Sequence, residues 1–264
     1  MDIIVCIKQV PDTETKIKVN PEGTGIVTEG IKWVMNPFDE YAVEEALRIR
    51  EKMGGKVTVM CLGPDRATEA IRTALAMGAD EAVHLNDPAF EGSDSFSTAK
   101  ALAKTIGSMK YDLILTGKQA VDMDASQVFG YLAEILNLPY VSVVVDLKIS
   151  ADGKTATAKR ETEGGMEEVV EMPLPAVIAA QKGLNEPRYA SLPNIMKAKK
   201  KEIKKIDLAA AGMESGEVGE KGSKLKTENY RLPPEREAGK KLEGDPGETA
   251  AQLAKLLREE AKLI

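Results

Sequence analysis

The sequence predicts an α/β protein with a mostly parallel β-sheet that is covered by helices on both faces. Two observations support this prediction. The chain opens with DIIVCI over residues 2–7, a β-rich apolar run that is typical of a buried strand. From there to residue 145, strand-like runs alternate with helical patterns. Such an alternation is typical of parallel strands joined by helices.

Each element in this part of the chain follows from a local pattern. The predicted strands cover residues 2–7, 57–62, 81–85, 112–116 and 141–145, and the helices cover 65–77, 95–106 and 124–136. Another helix starts in NPFD, where Asn36 is placed to cap it, Pro37 fits the first helical position and Asp39 favours the positive helix end. Gly78 fits the end of the 65–77 helix.

The pattern changes after residue 145. Residues 148–150, 155–161 and 167–172 predict short strands around turns at Asp152-Gly153 and Gly164-Gly165, and residues 175–180 predict a buried strand. We therefore expect a small antiparallel addition to the sheet.

The C-terminal part has a different composition. Residues 207–247 are rich in Gly, Glu and Lys, and they predict either disorder or an arm laid on a partner. Asp245-Pro246-Gly247-Glu248 then predicts the start of an amphipathic helix over 249–262. We expect an α/β domain over residues 1–206 and an extended arm with a helix over 207–264.

Composition excludes several classes of function. The 264 residues are 43% apolar and 30% charged with a net charge of −6, which fits a globular protein and argues against nucleic-acid binding. There are two cysteines and one histidine without a CxxC pair, so we expect neither a Cys/His metal site nor catalysis by a histidine-dependent triad. Neither a signal peptide nor an apolar run of roughly 18–20 residues is visible, which predicts a cytoplasmic protein that does not span a membrane.

Polar residues cluster where predicted parallel strands end. Ligands of open parallel sheets bind beyond the carboxyl ends of the strands, and the segments 6–12, 62–64 and 117–127 arrive there. Ser126 and Gln127 have side chains suited to a phosphate or a ribose, and a helix beginning near Asp124 would present free N–H groups to an anion. The alternative is a well-capped turn with a solvated Lys118.

Other nucleotide sites and catalytic sites are not indicated. The sequence has no GxGxxG, no GxxxxGK[ST] and no SGG phosphate loop, which argues against an ordinary dinucleotide dehydrogenase and a P-loop NTPase. Asp122 and Asp124 have the ligand type that Mg²⁺ prefers, but helix capping is the favoured interpretation. We predict no catalytic residues.

Residues 184–201, LNEPRYASLPNIMKAKKK, combine apolar side chains with positive charge. Leu192, Ile195 and Met196 stand beside Pro193, and six lysines lie between residues 197 and 205. The prolines disfavour a long element and predict a loop or a short helix. Such a surface suits a partner with a small apolar pocket and an acidic edge, although a solvated lysine run is the plainer alternative.

Several long motifs resemble one family. IVCIKQVPD, MNPFDEYAVEEAL, TALAMGADEAVHL, GKQAVDMD, and LPAV followed by the 184–201 segment occur in the order found in β subunits of electron transfer flavoproteins. The resemblance spans most of the chain. It implies a Rossmann-like, adenine-nucleotide α-hydrolase-like fold, with AMP bound in this subunit and with FAD held mainly by an α subunit.

The resemblance and the predicted strand ends together indicate which residues would contact the nucleotide and the partner proteins. For the nucleotide they are Cys6, Asn36, Pro37, Phe38, Asp39, Leu62, Gly63, Gly117, Lys118, Gln119, Ala120, Val121, Asp122, Asp124, Ser126, Gln127 and Val128. Phe38 would also approach the flavin. Leu192 resembles the anchor that enters a dehydrogenase pocket, with Pro193, Ile195, Met196, Lys197 and Lys200 beside it. Glu161 resembles an acid that pairs with an arginine of the α subunit.

The function implied by the resemblance is electron transfer without acid–base catalysis. Electrons would pass from an acyl-CoA dehydrogenase-type flavoenzyme to a quinone oxidoreductase or another acceptor. Some family members instead bind a second FAD in the AMP site and bifurcate electrons from NADH. Gln127-Val128 matches that version, whereas Met123, Phe129 and the NEPRYASLPNIMK loop match the AMP type, which we favour. Thr13 also replaces an aromatic residue found near the flavin in some relatives. From another class, the fold would permit a regulatory nucleotide-binding module without a redox role.

Overall fold

The computed structural model describes residues 1–235 and 238–264. The described chain forms two compact units, one of residues 1–17 and 27–228 and another of residues 18–26 and 229–264. The larger unit contains all of the sheet and both candidate binding regions, while the smaller one contains the last helix.

The strands and helices alternate along the larger unit. Its strands are β1 Asp2–Ile7, β2 Gln9–Pro11, β3 Trp33–Met35, β4 Lys56–Leu62, β5 Glu81–Leu85, β6 Leu113–Gly117, β7 Tyr140–Ile149, β8 Thr155–Glu161, β9 Glu167–Pro173, β10 Val177–Ala180 and β11 Lys204–Ile206. Its helices are α1 Pro37–Met53, α2 Thr68–Met77, α3 Ser95–Ile106, α4 Val128–Leu136, α5 Leu192–Lys200 and the short α6 Gly219–Gly222.

Nine strands form one sheet in the order β11-β5-β4-β1-β6-β10-β7-β8-β9. The strands from β11 to β7 are parallel, and β8 and β9 add an antiparallel edge. Strands β2 and β3 pair separately as an antiparallel ribbon. The predicted α/β class, with its mostly parallel sheet and small antiparallel addition, is therefore confirmed.

Two hydrophobic layers cover the sheet. On one face, α1 and α2 pack with buried residues such as Leu47 and Ile71 against Ile3 and Val5 of β1. On the other face, α3 and α4 pack against the alternate residues of the same strand, including Ile4. This alternation follows from the period of two along a strand, which points successive side chains to opposite faces.

Several element boundaries differ from the prediction. The segments 141–145 and 148–150 are one strand, β7, which continues through an irregularity near Val143, a residue with φ of 63°. The 65–77 segment is a 3₁₀ turn over Asp65–Ala67 followed by α2. The predicted helix over 124–136 starts later, at Val128, and the last helix runs over Pro246–Glu259 rather than 249–262.

Residues 207–228 are more buried than their composition, rich in Gly, Glu and Lys, predicts. Ala211, Met213 and Val218 are buried in the same layer as α3 and α4. Asp94 holds this segment, because its carboxylate accepts from the backbone N–H groups of Lys224 and Leu225. Residues 207–228 therefore belong to the larger unit rather than to a free arm.

The smaller unit contains the last helix, α7 Pro246–Glu259. The Asp245 side chain accepts from Gly247 N and Glu248 N, which confirms the predicted cap of this helix. No residue of α7 is buried, and Leu253 is 48% exposed. Among the described helices, none combines the length and the apolar character needed to cross a membrane.

Candidate functional site

The chain crosses the sheet next to β1 and opens a crevice there. It adds β4 and then β5 on one side of β1, and it then returns to place β6 on the other side. The carboxyl ends of β1 and β6 therefore flank the point where the strand order reverses. This is where open parallel sheets bind their ligands.

Asp39 ties the two strand ends together beneath the crevice. Its Oδ2 accepts from the backbone N–H of Lys8 at 2.7 Å, just after β1, and its Oδ1 accepts from Gly117 N at 3.1 Å, at the end of β6. Asn36 Nδ2 donates to the same Oδ1 at 2.9 Å. The carboxylate is buried, so these three donors replace the water that it loses on folding.

Burial raises the pKa of Asp39 to about 7, because desolvation outweighs the stabilisation of the carboxylate by its three N–H donors. Asp39 occupies the N–H groups of Lys8 and Gly117, so these two groups are not available to an anion in the crevice. The exposed polar groups nearby lie in the loop that follows β6.

The side chain of Asn36 fixes the backbone of the loop that follows β6. Its Nδ2 donates to Gln119 O at 2.8 Å, and its Oδ1 accepts from Val121 N at 3.1 Å. Asn36 is the N-cap residue of α1 as predicted, but its side chain makes no hydrogen bond to the first N–H groups of the helix and bonds to the loop instead. Helix α1 starts at Pro37 as expected, and its first turn thereby becomes the support of the site.

The loop itself remains non-helical up to Gln127. The prediction that a helix begins near Asp124 is wrong, since Asp124 and Ser126 have φ of 49° and 52°, a left-handed conformation that a right-handed helix excludes. The predicted helix caps are wrong as well. Asp122 forms an ion pair with Lys8 Nζ at 2.7 Å, and Asp124 accepts from Gln119 Nε2 at 2.6 Å.

The side chains of this loop form a polar, exposed rim. Ser126 Oγ donates to Gln119 Oε1 at 3.2 Å, which links it to the Gln119–Asp124 pair. Residues 122–127 are exposed. Amide, hydroxyl and lysine groups suit a phosphate or a ribose, so the donor set of this loop fits the polar part of a nucleotide.

At Gly117, the end of β6 lies directly against the first turn of α1. A Cβ at this position would lie 2.3 Å from Asp39 Oδ1 and 2.7 Å from Phe38 Cβ. Glycine is therefore needed for space. Lys118 Nζ lies 5.0 Å from the centre of the Phe38 ring, which holds one positive charge beside the crevice.

The other predicted nucleotide contacts lie at the same edge of the sheet. Cys6 is buried near the end of β1, and burial raises the pKa of its thiol to about 12, which keeps the sulfur neutral. Gly63 O accepts from His84 Nε2 at 2.9 Å and Asn86 Nδ2 at 3.1 Å, which fixes the loop after β4. Leu62, Pro37, Ala120 and Val128 are partly buried, and Gln127 is exposed. Contact of any of them with a nucleotide stays a prediction.

The basic segment lies elsewhere and forms helix α5. Leu192 is 78% exposed and Met196 57% exposed, and Pro193, Ile195, Lys197 and Lys200 are exposed as well. Ser191 caps the helix through Asn194 N. The structure thus presents the predicted apolar residues and lysines on one short, exposed helix.

Long-range contacts hold both ends of this segment. Arg188 donates to Glu44 through Nε at 2.8 Å and through Nη2 at 3.0 Å, and it also pairs with Glu51 at 2.6 Å. At the other end, Arg72 donates to the carbonyl groups of Ala198 and Lys201. The exposed helix is therefore fixed on α1 and α2.

Glu161 lies at the end of β8, far along the antiparallel edge of the sheet. It is exposed and accepts from Gln181 Nε2 at 3.3 Å. Its predicted pairing with an arginine of an α subunit stays a prediction. No group of three or more His, Cys, Asp or Glu side chains in the described chain is placed to hold a metal ion.

Sequence reasoning missed the residues that support these regions. Lys8 follows β1 and joins both Asp39 and Asp122, and Arg188 lies 144 positions from Glu44. Only the position of Lys8 directly after a buried strand could have indicated its role. Nothing in the local sequence indicates the partner of Arg188.

The chain is similar to known proteins over its whole length. The profile of the electron transfer flavoprotein domain matches residues 24–211. The electron transfer flavoprotein subunit beta of Bacillus subtilis is 42% identical over 100% of both chains. The proteins of the same name from Bos taurus and Clostridium acetobutylicum are 43% and 38% identical, over 91% and 98% of this chain and 92% and 99% of theirs. This chain therefore belongs to the electron transfer flavoprotein β-subunit family.

Proposed function

We propose that this chain pairs with an electron transfer flavoprotein α subunit and that the heterodimer carries electrons between flavoenzymes. The observation that supports this most is the 42% identity over the full length of the Bacillus subtilis β subunit. Electrons would come from an acyl-CoA dehydrogenase-type flavoenzyme and pass to a quinone oxidoreductase or another acceptor. The FAD held mainly by the α subunit supplies the redox chemistry when it is bound.

In this proposal the crevice between β1 and β6 binds AMP. Gly117 leaves space for the ligand, and Asn36 sets the path of the loop that follows. Gln119, Ser126 and Lys118 are the groups that would bind the phosphate or ribose, because Asp39 already occupies the Lys8 and Gly117 N–H groups at the floor of the crevice. Phe38 would face the flavin side of the site.

Helix α5 is the proposed contact with the dehydrogenase. Leu192 would enter an apolar pocket, and the lysines that follow would face an acidic edge. The rigid support of the helix by Arg188 and Arg72 favours binding, since little backbone order is lost when a partner docks. The contact is small, so we expect a transient complex.

The C-terminal part would hold the α subunit. The predicted boundary at residue 206 moves to residue 228, because residues 207–228 pack in the larger unit, and residues 229–264 with α7 are the part that would wrap the partner. Leu253 of α7 supports this, because it is 48% exposed and no residue of this helix is buried. Glu161 would add an ion pair to an arginine of the α subunit.

A second candidate function is electron bifurcation with a second FAD in the same crevice. The specific observation is the loop after β6, in which Gln127 and Val128 match the bifurcating version and α4 begins directly at Val128.

Co-expression with an α subunit tests the proposal. We expect a 1:1 complex that retains flavin through size-exclusion chromatography and accepts electrons from an acyl-CoA dehydrogenase. A lone chain that is stable, monomeric and binds ATP tightly would contradict the proposal and favour a regulatory nucleotide-binding module.

A further inference from the structure

A second cluster at the carboxyl edge of the sheet combines a cation with the single tryptophan of the chain. Arg66 lies in the 3₁₀ turn after β4, and its Cζ is 3.7 Å from the centre of the Trp33 ring in β3. Trp33 is partly buried and Arg66 remains exposed. Stacking on an indole orders a guanidinium and leaves the N–H groups at its edge available.

Arg66 has no acceptor for those N–H groups among the described residues. Every other described arginine of the larger unit has an oxygen atom as its hydrogen-bond or ion-pair partner, and these are Arg48, Arg50, Arg72, Arg160 and Arg188. The carboxylate next to Arg66 in sequence is also occupied, since Asp65 pairs with Lys205 at 2.8 Å. Partial burial lowers the pKa of Arg66, which is the effect of a cation that has lost water without gaining an anion.

The neighbouring polar groups fix the position of Arg66. Gln9, the first residue of β2, donates from Nε2 to Arg66 O at 2.9 Å. The Oε1 of Gln9 is buried and has no hydrogen-bond partner in the described chain. Three segments therefore converge on Arg66: β2 with Gln9, β3 with Trp33, and the turn after β4.

From this arrangement we propose that Arg66 and Trp33 form a second anion site, which binds a phosphate group beside the crevice. The site lies past the end of β4, at the sheet edge where ligands of this architecture bind. The guanidinium presents a planar fork that matches two phosphate oxygens, a geometry that a lysine does not offer. The phosphate belongs either to a soluble nucleotide or to the free anion.

The single tryptophan allows a direct test. Trp33 fluorescence is followed while inorganic phosphate is added to the full-length protein in the assembly in which it purifies, with KCl added to a reference sample at equal ionic strength. Subtraction of the Trp33→Phe spectrum isolates this signal from any tryptophan of a partner. We expect a saturable change with phosphate and none with KCl.

Variants of Arg66 test whether the change in Trp33 fluorescence comes from phosphate bound at the proposed site. Arg66→Gln should weaken phosphate binding by at least about tenfold, because it removes charge-assisted hydrogen bonds. Arg66→Lys should bind less tightly than the wild type but more tightly than Arg66→Gln, since it keeps the charge without the fork. Arg48→Gln, a change at another exposed arginine, should bind phosphate like the wild type.

Three further outcomes separate the sources of the anion. If AMP changes Trp33 fluorescence with the same dependence on Arg66, the phosphate of AMP lies at Arg66. The anion proposal then holds, and the phosphate contacts proposed for Gln119, Ser126 and Lys118 fail. If only inorganic phosphate does so, the site binds the free anion, and the proposal also holds. The proposal is overturned if acetate binds as tightly as phosphate, if no saturable change occurs, or if Arg66→Gln binds phosphate like the wild type.

Discussion

Replacing Gly117 by Ala tests the packing at the floor of the crevice. The new Cβ would lie 2.3 Å from Asp39 Oδ1, 2.7 Å from Phe38 Cβ and 2.9 Å from Phe38 C. All three atoms belong to the first turn of α1, and the two atoms of Phe38 cannot rotate away, so the end of β6 must shift. Overpacking of this kind costs roughly 1–3 kcal/mol.

The same shift breaks a hydrogen bond to a buried charge. Gly117 N donates to Asp39 Oδ1, and loss of a bond to a charged group costs roughly another 1.5–3 kcal/mol. We therefore expect Gly117→Ala to lower the free energy of unfolding by about 3–6 kcal/mol, a large part of the roughly 5–15 kcal/mol of a typical domain.

Urea denaturation measures this loss, and a second glycine provides the control. Gly130 lies inside α4 with no atom within 4 Å of an added Cβ, so Gly130→Ala should stabilise the protein by roughly 0.5–1 kcal/mol. Nucleotide affinity should fall in Gly117→Ala and stay unchanged in Gly130→Ala. Equal unfolding midpoints for Gly117→Ala and the wild type would refute the account of the crevice floor.

Three further predictions concern exposed residues and a buried acid. Leu192→Ala should slow electron exchange with the dehydrogenase in stopped-flow assays at unchanged stability, whereas Leu225→Ala, another exposed leucine, should leave the rate unchanged; equal rates for Leu192→Ala and the wild type would remove the anchor assignment. Changing Lys197 and Lys200 to Glu should slow association with the dehydrogenase, and most strongly at low salt. A change in the association rate that does not depend on salt would indicate that these lysines are only solvated. Because burial raises the folded-state pKa of Asp39 to about 7, the folded state retains this proton at higher pH than the unfolded state does. Its contribution to stability is thus fully present below the unfolded pKa and is lost as pH rises through about 7. Urea melts of Asp39→Asn from pH 4 to 8 should show a flatter dependence than the wild type, and identical slopes would contradict the burial argument.

The sequence predicted the layers of the fold because they depend on local periodicity. The apolar positions of the second helical segment, such as Ile71 and Ala74, are buried as their spacing indicates. The boundaries of β7 were not predictable in this way. Val143 adopts a positive φ, which is uncommon for a β-branched residue and has no local sequence signature.

The sequence predicted where the candidate site lies, but it did not predict which side chains bond to each other there. Strand ends indicated Gly117 and the loop after it, and the helix start indicated Asn36 and Asp39. The side-chain partners depend on chain crossings of 78 to 114 residues, as in Gly117 N to Asp39 and Lys8 to Asp122. Contacts at such separations follow from the strand order, which a single sequence does not specify.

The nucleotide content of the purified heterodimer tests the central claim most directly. Denaturation releases the bound nucleotides, and chromatography quantifies FAD and AMP per complex. Our account predicts one FAD and one AMP, with the AMP lost first in variants of the loop after β6. Two FAD and no AMP would contradict the AMP assignment and make bifurcation the leading function, and one FAD with no second nucleotide would contradict the crevice as a nucleotide site.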